Sequence, residues 1–166
     1  NHMGYVLLGI AAANSWGIKG SIYEMVAHGL GAGLLFATAG FIHEKYQTFS
    51  ISNLTGLMKK TPIVSWFFVL GALAAMGLPT MAGFVAEFII FIGAYSVFGP
   101  LILIPLLGVV ITAGYFIWTI QRSFWGMPSS PDISIAEPQT MLFWMPYLLL
   151  TAGLFFLGLW PPFLFA

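Results

Sequence analysis

The stretch Gly77-Leu78-Pro79-Thr80-Met81-Ala82-Gly83 decides how this 166-residue chain folds. It lies in the middle of an apolar run, 63–98, that is too long for one straight membrane helix and too short for two, since one crossing takes about 20 residues. Pro79 removes a backbone donor, and the flanking Gly77 and Gly83 tolerate unusual backbone angles. We therefore expect either a helical hairpin or one discontinuous transmembrane helix broken at 77–83.

The composition is that of an all-α polytopic membrane protein. Hydrophobic residues make up 60% of the chain and charged residues only 6%, against roughly 25% charged residues in an ordinary soluble domain. The five basic residues form no cluster, so we expect a lipid bilayer and not a nucleic acid as the surroundings of this chain. It has no cysteine and no phosphate-binding glycine motif, so we expect no cofactor.

Apolar runs predict a helix bundle that forms a single transmembrane domain, 1–166. The chain does not begin with Met and enters an apolar run at once, so we expect it to be a C-terminal fragment of a longer protein. The predicted spans are 5–14 (partial), 20–42, 63–98 broken at 77–83, 101–120 and 141–160.

The basic residues favour the discontinuous helix over the hairpin. If the run 63–98 crosses the membrane once, the polar segments 43–62 and 122–140 lie on the same side. Lys19 is then alone on the other side, whereas a hairpin would divide the basic residues three against two. Basic residues concentrate on the cytoplasmic side, which would carry Lys45, Lys59, Lys60 and Arg122.

Three ionisable residues, His2, His28 and Glu87, fall within apolar segments. An ionisable group there costs on the order of 3 kcal/mol or more, so it usually faces a polar interior. For each of these residues two interpretations are open: a functional role in proton transfer and a purely structural role. For Glu87 the structural role is a hydrogen bond to backbone freed by the break, and for the histidines it is a bond to a neighbouring helix. Counting about 1.5 Å per residue predicts an outward series of His2, His28 and Glu87.

Other residues around His28 allow further predictions. Gly29 and Gly33 form a small-xxx-small pattern, which favours close packing of another helix. Glu24 lies one turn before His28, either as its partner or near the membrane interface. No zinc motif matches the spacing of the histidines and Glu87, so we expect no metal site.

Four groups of residues are specific in combination: Asn1-His2-Met3-Gly4-Tyr5, Val26-Ala27-His28-Gly29-Leu30, Glu44 with Gly56-Leu57-Met58-Lys59-Lys60, and Gly77-Leu78-Pro79 followed by Gly83-Phe84-Val85-Ala86-Glu87-Phe88. Together they resemble the antiporter-like membrane subunits of respiratory complex I. The resemblance favours the M type, called chain 4 in mitochondria, because Glu87 stands where the L and N types carry lysine.

The resemblance implies a fourteen-helix subunit with two inverted five-helix repeats, of which this chain would cover most of the second. It implies that His2 and His28 lie on a central hydrophilic axis and that Glu87 is the terminal protonatable group of this half. The residue Glu24 stands where the family often has Gln, so no role is carried over to it.

The implied function is proton translocation in an NADH:quinone oxidoreductase complex of an energy-coupling membrane, most simply a prokaryotic cell membrane. This subunit would have no redox centre, and its partners would be neighbouring antiporter-like subunits and other membrane subunits. Two alternatives stay open: a subunit of a multisubunit cation/proton antiporter or membrane-bound hydrogenase, and a structural membrane anchor.

Overall fold

The computed structural model describes residues 1–126 and 137–161, and all regular structure in these residues is helical. Three stretches are long and apolar enough to cross a membrane: Ser15–Tyr46, Ala82–Ser123 and Met141–Leu159. The predicted all-α membrane fold is confirmed. In chain order the helices are α1 (His2–Ala11), α2 (Ser15–Tyr46), α3 (Leu57–Lys60), α4 (Pro62–Ala75), α5 (Ala82–Phe98), α6 (Leu103–Ser123) and α7 (Met141–Leu159), with 3-10 turns at Ile51–Asn53 and Gly99–Ile102.

Asn14 holds the tight turn between α1 and α2. Its Oδ1 accepts a hydrogen bond from the Gly17 N–H at 2.8 Å, which caps α2. Its Nδ2 donates to the Gly93 carbonyl of α5 at 2.8 Å. The backbones of α1 and α2 touch, because a Cβ added to Gly9 would lie 2.6 Å from the Gly17 carbonyl oxygen. The first two helices are therefore a closely packed antiparallel pair.

Contacts with α2 show that α4 and α5 form one discontinuous helix. A Cβ added to Gly71 of α4 would lie 3.1 Å from the Leu35 side chain, and a Cβ added to Gly20 would lie 2.8 Å from the Ile90 nitrogen of α5. The contact point on α2 thus moves from Leu35 back to Gly20 as the chain passes from α4 to α5. In a hairpin, α5 would turn back along α4 and its contacts would return toward Leu35 of α2. The prediction of one broken crossing, antiparallel to α2, is therefore confirmed.

The first half of the broken helix, α4, ends in a Schellman motif. Gly77 has a left-handed φ of +73°, its N–H donates to the Ala74 carbonyl at 3.2 Å, and the Leu78 N–H donates to the Leu73 carbonyl at 3.1 Å. These two bonds are the pair that defines the motif. They satisfy carbonyl groups that have no water to bond within a membrane.

A second turn leads from this motif into α5. The Met81 N–H donates to the Leu78 carbonyl at 3.1 Å, which leaves Pro79 and Thr80 at the two central positions. Thr80 has a φ of +89°, a left-handed value that is rare for a β-branched residue. Gly158 of α7 packs directly on this turn, because a Cβ there would overlap the Thr80 carbonyl oxygen.

The glycine at the start of α5 is closely packed, whereas the glycines near His28 are not. A Cβ added to Gly83 would lie 2.6 Å from the Ala74 carbonyl oxygen, so α5 begins against the end of α4. In the described part of the chain, no heavy atom lies within 4 Å of a Cβ added to Gly29, and a Cβ on Gly33 would make only an ordinary 3.7 Å contact with Leu150. No helix in the described part of the chain packs closely at Gly29, which is exposed there, so the close approach expected at Gly29 and Gly33 stays a prediction.

The two last helices return across the bundle. Gly99, with a φ of +55°, begins the turn into α6. The end of α6 lies beside α3, since the Met58 N–H donates to the Phe124 carbonyl at 3.2 Å. The helix α7 runs antiparallel to α2, with the Tyr147 hydroxyl donating to the Ala37 carbonyl at 3.2 Å.

The segment before α7 caps α4. Glu137 accepts hydrogen bonds from the backbone N–H groups of Val64 at 2.9 Å and Ile63 at 3.2 Å. A carboxylate is favourable at the positive N-terminal end of a helix. The preceding residues 127–136, with Asp132, lie outside the described residues.

Single-cysteine variants test the single crossing, and the chain has no cysteine of its own. In sealed vesicles we expect a membrane-impermeant maleimide to label Lys59→Cys and Arg122→Cys from the same side. Lys19→Cys should react from the opposite side. Labelling of positions 59 and 122 from opposite sides would contradict the discontinuous helix.

Gly77→Ala tests the Schellman motif. We expect it to lower the thermal unfolding temperature of the protein purified in detergent, because a left-handed backbone costs an alanine about 1–2 kcal/mol. The new Cβ would also lie 2.8 Å from Glu87 Oε2. The matched control is Gly40→Ala in α2, where a Cβ has no neighbour within 4 Å among the described residues and alanine is the better helix former. Equal unfolding temperatures for the two variants would argue against the motif.

Candidate functional site

A buried cluster of His2, Glu24 and Glu87 lies where α1, α2 and α5 meet. The His2 Nδ1 atom is 2.9 Å from Glu24 Oε1 and 3.5 Å from Glu87 Oε1. Glu24 is 1% exposed, Glu87 5% and His2 9%. One imidazole nitrogen therefore faces two buried carboxylates from two other helices.

Helix register brings the three side chains together. The Ser21 hydroxyl donates to the Val6 carbonyl at 2.9 Å, and one turn further along both helices His2 reaches Glu24. On the other side, Gly20 packs against Ile90. Because α2 and α5 run antiparallel, one turn forward from Gly20 on α2 corresponds to one turn back from Ile90 on α5. Glu24 and Glu87 therefore lie at the same depth in the bundle. The close backbone contacts thus hold the three polar groups at hydrogen-bonding range.

The helix break borders the cluster through Gly77. Glu87 Oε2 occupies the space beside this glycine, 2.8 Å from where a Cβ would be. In the structural interpretation of Glu87, its carboxyl group bonds to backbone freed by the break. That structural interpretation is wrong, because the N–H groups of Gly77 and Leu78 bond to α4 carbonyls, and no backbone N–H in the described residues donates to Glu87.

His28 lies beside the cluster and not in it. Its ring centroid is 5.1 Å from that of His2, with the ring planes tilted by 34°, and it is half-buried. The expected outward order of His2, His28 and Glu87 is not observed, because His2, and not His28, contacts both of the other residues. The helix α2 begins at Ser15, five residues before its predicted start, which shifts His28 inward by about 7.5 Å.

The position of Glu24 differs from both of those expected from the sequence. It is neither a partner of His28 nor an interfacial residue, because it is buried against His2. One signal could have found it. His2 and Glu24 lie at equal separations from Ala13, so an antiparallel helix pair turning at Ala13 places them opposite each other.

A cavity of about 310 Å³ adjoins the cluster. His2, Glu24 and His28 lie at one end, and its other walls are mostly apolar, extending to Ala39 and Phe68. From Glu24 to Ala39 it follows α2 for about 22 Å, toward the end that carries Lys45. The buried atoms His2 Nε2 and Glu24 Oε2 have no hydrogen-bond partner among the described residues, and the cavity is large enough to admit water.

Asn1 fixes the first turn of α1 to α6. Its Nδ2 donates to Thr112 Oγ1 at 2.7 Å and to the Gly108 carbonyl at 3.1 Å. The Tyr5 hydroxyl donates to the Pro105 carbonyl at 3.3 Å. These bonds hold His2, which lies between Asn1 and Tyr5 in sequence, against the cavity.

Comparison with known proteins gives consistent matches. The family model described as "NADH:quinone oxidoreductase/Mrp antiporter, TM" matches residues 1–112. The F(420)H(2) dehydrogenase subunit M of Methanosarcina mazei is 36% identical over 127 residues, which cover 76% of this chain and 26% of that protein. The NAD(P)H-quinone oxidoreductase chain 4 1 of Synechococcus elongatus is 41% identical over 132 residues, covering 76% of this chain and 25% of that protein.

A solved structure, "Respiratory complex I from Thermus thermophilus with bound NADH", contains a chain that superposes with a TM-score of 0.89 at 30% identity. The match covers 98% of this chain and 34% of that one. The present chain thus spans about a quarter to a third of the length of these proteins. The family model covers well over half of the chain, and the resemblance found in its motifs is confirmed: the chain belongs to the NADH:quinone oxidoreductase/Mrp antiporter transmembrane family.

Proposed function

We propose that this chain is part of an antiporter-like subunit that translocates protons in a respiratory NADH:quinone oxidoreductase-type complex. The observation that carries the proposal is the buried imidazole of His2 within 3.5 Å of two carboxylates, Glu24 and Glu87, from different helices. Intramembrane ionisable residues in contact with one another are typical of proton relays.

The chemistry of the cluster suits proton transfer. An imidazole binds a proton at one ring nitrogen and releases one from the other. The Nδ1 atom of His2 lies close enough to Glu24 and Glu87 for a small ring rotation to change its carboxylate partner. His2 therefore passes a proton between the two glutamates without any helix having to move.

Charge balance in the cluster couples proton uptake to proton release. Without dissociable protons, the two carboxylates and the imidazole carry a net charge of −2, and two bound protons make the cluster neutral. A net charge is costly in the low-dielectric interior of a membrane protein. Loss of one proton toward one side of the membrane therefore favours uptake of another from the opposite side.

The cavity supplies an access route in this proposal. It extends from His2 and His28 as far as Ala39 and Phe68, toward the end of the bundle with four basic residues, which the positive-inside rule assigns to the cytoplasm. Protons enter along water in this cavity, pass His28 and His2, and reach Glu87 beside the helix break. Glu87 serves as the storage or release group.

The proposed partners are the neighbouring antiporter-like subunits and other membrane subunits of the same complex. The proposed location is the energy-coupling membrane, the cell membrane in a prokaryote. The names of the relatives support the proposed partners, because the Methanosarcina mazei protein is named as a subunit of a dehydrogenase and the Synechococcus elongatus protein as a chain of a quinone oxidoreductase.

A subunit of a multisubunit cation/proton antiporter is the second candidate, because the family model includes Mrp antiporters. Proton transport driven by a sodium gradient, without an electron donor or quinone, would favour the antiporter. Proton transport that depends on hydrogen as the electron donor would favour a membrane-bound hydrogenase. A purely structural anchor is disfavoured, because an apolar helix contact would avoid the cost of burying Glu24 and Glu87.

Glu87→Gln is the central test. We expect it to assemble normally, because the shape of the side chain is kept, and to lower coupled proton translocation by at least about tenfold. Positioned proton-transfer groups typically contribute about 10²–10⁴-fold. The measurement is proton translocation by the intact complex in proteoliposomes, relative to its electron-transfer rate.

Matched variants sharpen this test. Glu87→Asp should retain part of the activity, and Glu87→Lys should be partly tolerated because lysine also takes up and releases a proton. Glu44→Gln, at an exposed position of α2, should translocate like the wild type. Wild-type rate and stoichiometry in Glu87→Gln would remove Glu87 from the pathway.

His28→Ala separates a transfer role from a packing role. His28 is half-buried and lines the cavity, so we expect its loss to reduce proton translocation more than the amount of complex in the membrane. Quantitative immunoblotting and translocation assays on the same membranes provide the comparison. If the variant fails to accumulate, the structural interpretation of His28 is correct.

A further inference from the structure

We propose that His2, Glu24 and Glu87 also form a binding site for Zn²⁺, which displaces the protons that they share. Each residue offers one ligand atom, and the three atoms lie within 4.8 Å of one another. The absence of a zinc motif in the sequence does not argue against this site. Motif spacings describe ligands from one helix or loop, whereas these ligands come from three helices.

The distances are close to those that Zn²⁺ requires. Bonds of about 2.0–2.1 Å in a tetrahedral site place neighbouring ligand atoms about 3.3–3.4 Å apart. The distance from His2 Nδ1 to Glu87 Oε1 is 3.5 Å, and that to Glu24 Oε1 is 2.9 Å. Side-chain rotation that opens the shorter contact by about half an ångström, and that brings the two carboxylate oxygens from within 4.8 Å to about 3.4 Å of each other, admits the ion.

A second observation points to a ligand at this position. The Oε2 atom of Glu24 is buried and has no hydrogen-bond partner among the described residues, although Glu24 is only 1% exposed. An unpartnered buried carboxylate oxygen is costly. A bound divalent cation neutralises this carboxylate.

The donor set and charge favour Zn²⁺ over other cations. An imidazole nitrogen with carboxylate oxygens suits zinc, whereas Mg²⁺ and Ca²⁺ require six or more oxygen ligands. Three protein ligands leave a fourth position for water, and His2 and Glu24 line the adjoining cavity. One Zn²⁺ replaces two protons, so the cluster stays neutral and two protons are released for each ion bound.

The test is equilibrium dialysis of the intact, chelator-treated membrane complex against radioactive Zn²⁺. We expect the wild type to hold one more zinc ion per copy of this chain than Glu24→Gln or Glu87→Gln. The affinity of each variant should be at least about 100-fold weaker, because loss of an outer-shell partner alone costs about 10–100-fold. The exchange for two protons predicts that wild-type affinity falls about 100-fold for each unit decrease in pH over the range in which the free cluster holds two protons.

Glu44→Gln is the matched control and should bind like the wild type. Equal zinc binding in the wild type, Glu24→Gln and Glu87→Gln would overturn the proposal, as would an equal loss in Glu44→Gln. Assembly of Glu24→Gln is checked by size-exclusion chromatography. As a second measurement, zinc X-ray absorption of the wild type minus that of Glu24→Gln should show nitrogen and oxygen ligands at about 2.0–2.1 Å, and sulfur ligands would overturn the site.

Zinc binding is an equilibrium property and does not depend on the proposed function. If Glu87→Gln translocates protons normally but loses the zinc ion, the site stands and the proton pathway fails. If Glu87→Gln loses translocation but keeps the ion, the zinc site fails and the pathway stands.

Discussion

A helix that stops inside a membrane leaves its last carbonyl groups without water to bond, and the Schellman motif at Gly77 meets this constraint. The rest of the site depends on it. Because the motif uses the N–H groups of Gly77 and Leu78, neither of these donates to Glu87. Because a glycine occupies the left-handed position, the carboxylate of Glu87 has room beside it. The same residue thus ends α4 and leaves space for an acidic side chain.

The polar cluster is the second consequence of the break. Glu87 has no backbone donor in the described residues, and its nearest polar partner is His2 of α1. His2 in turn bonds to Glu24 of α2, so three helices share a single set of buried polar contacts. The stability of such a buried set depends on every member, because removing one partner leaves an uncompensated polar group in a low-dielectric environment.

The sequence predicted the elements with strong local signals and missed those that depend on register. The glycines and proline of 77–83 mark the break, and the basic residues correctly favoured a single crossing. The pairing of His2 with Glu24 depends on how α1 folds back on α2, which apolar periodicity does not specify. Gly29 fits a packing pattern, but a pattern of small residues does not reveal which face of a helix meets a neighbour.

The glycine contacts among α1, α2 and α5 have a mechanical consequence. Added Cβ atoms would lie 2.6 Å from backbone at Gly9, 2.8 Å at Gly20 and 2.5 Å at Gly93, so these backbones touch and cannot slide past one another by a residue without collision. The three helices that carry His2, Glu24 and Glu87 therefore behave as one rigid body. Opening of the site to one side of the membrane therefore has to come from side-chain rotation, from entry of water, or from movement of the surrounding helices relative to these three.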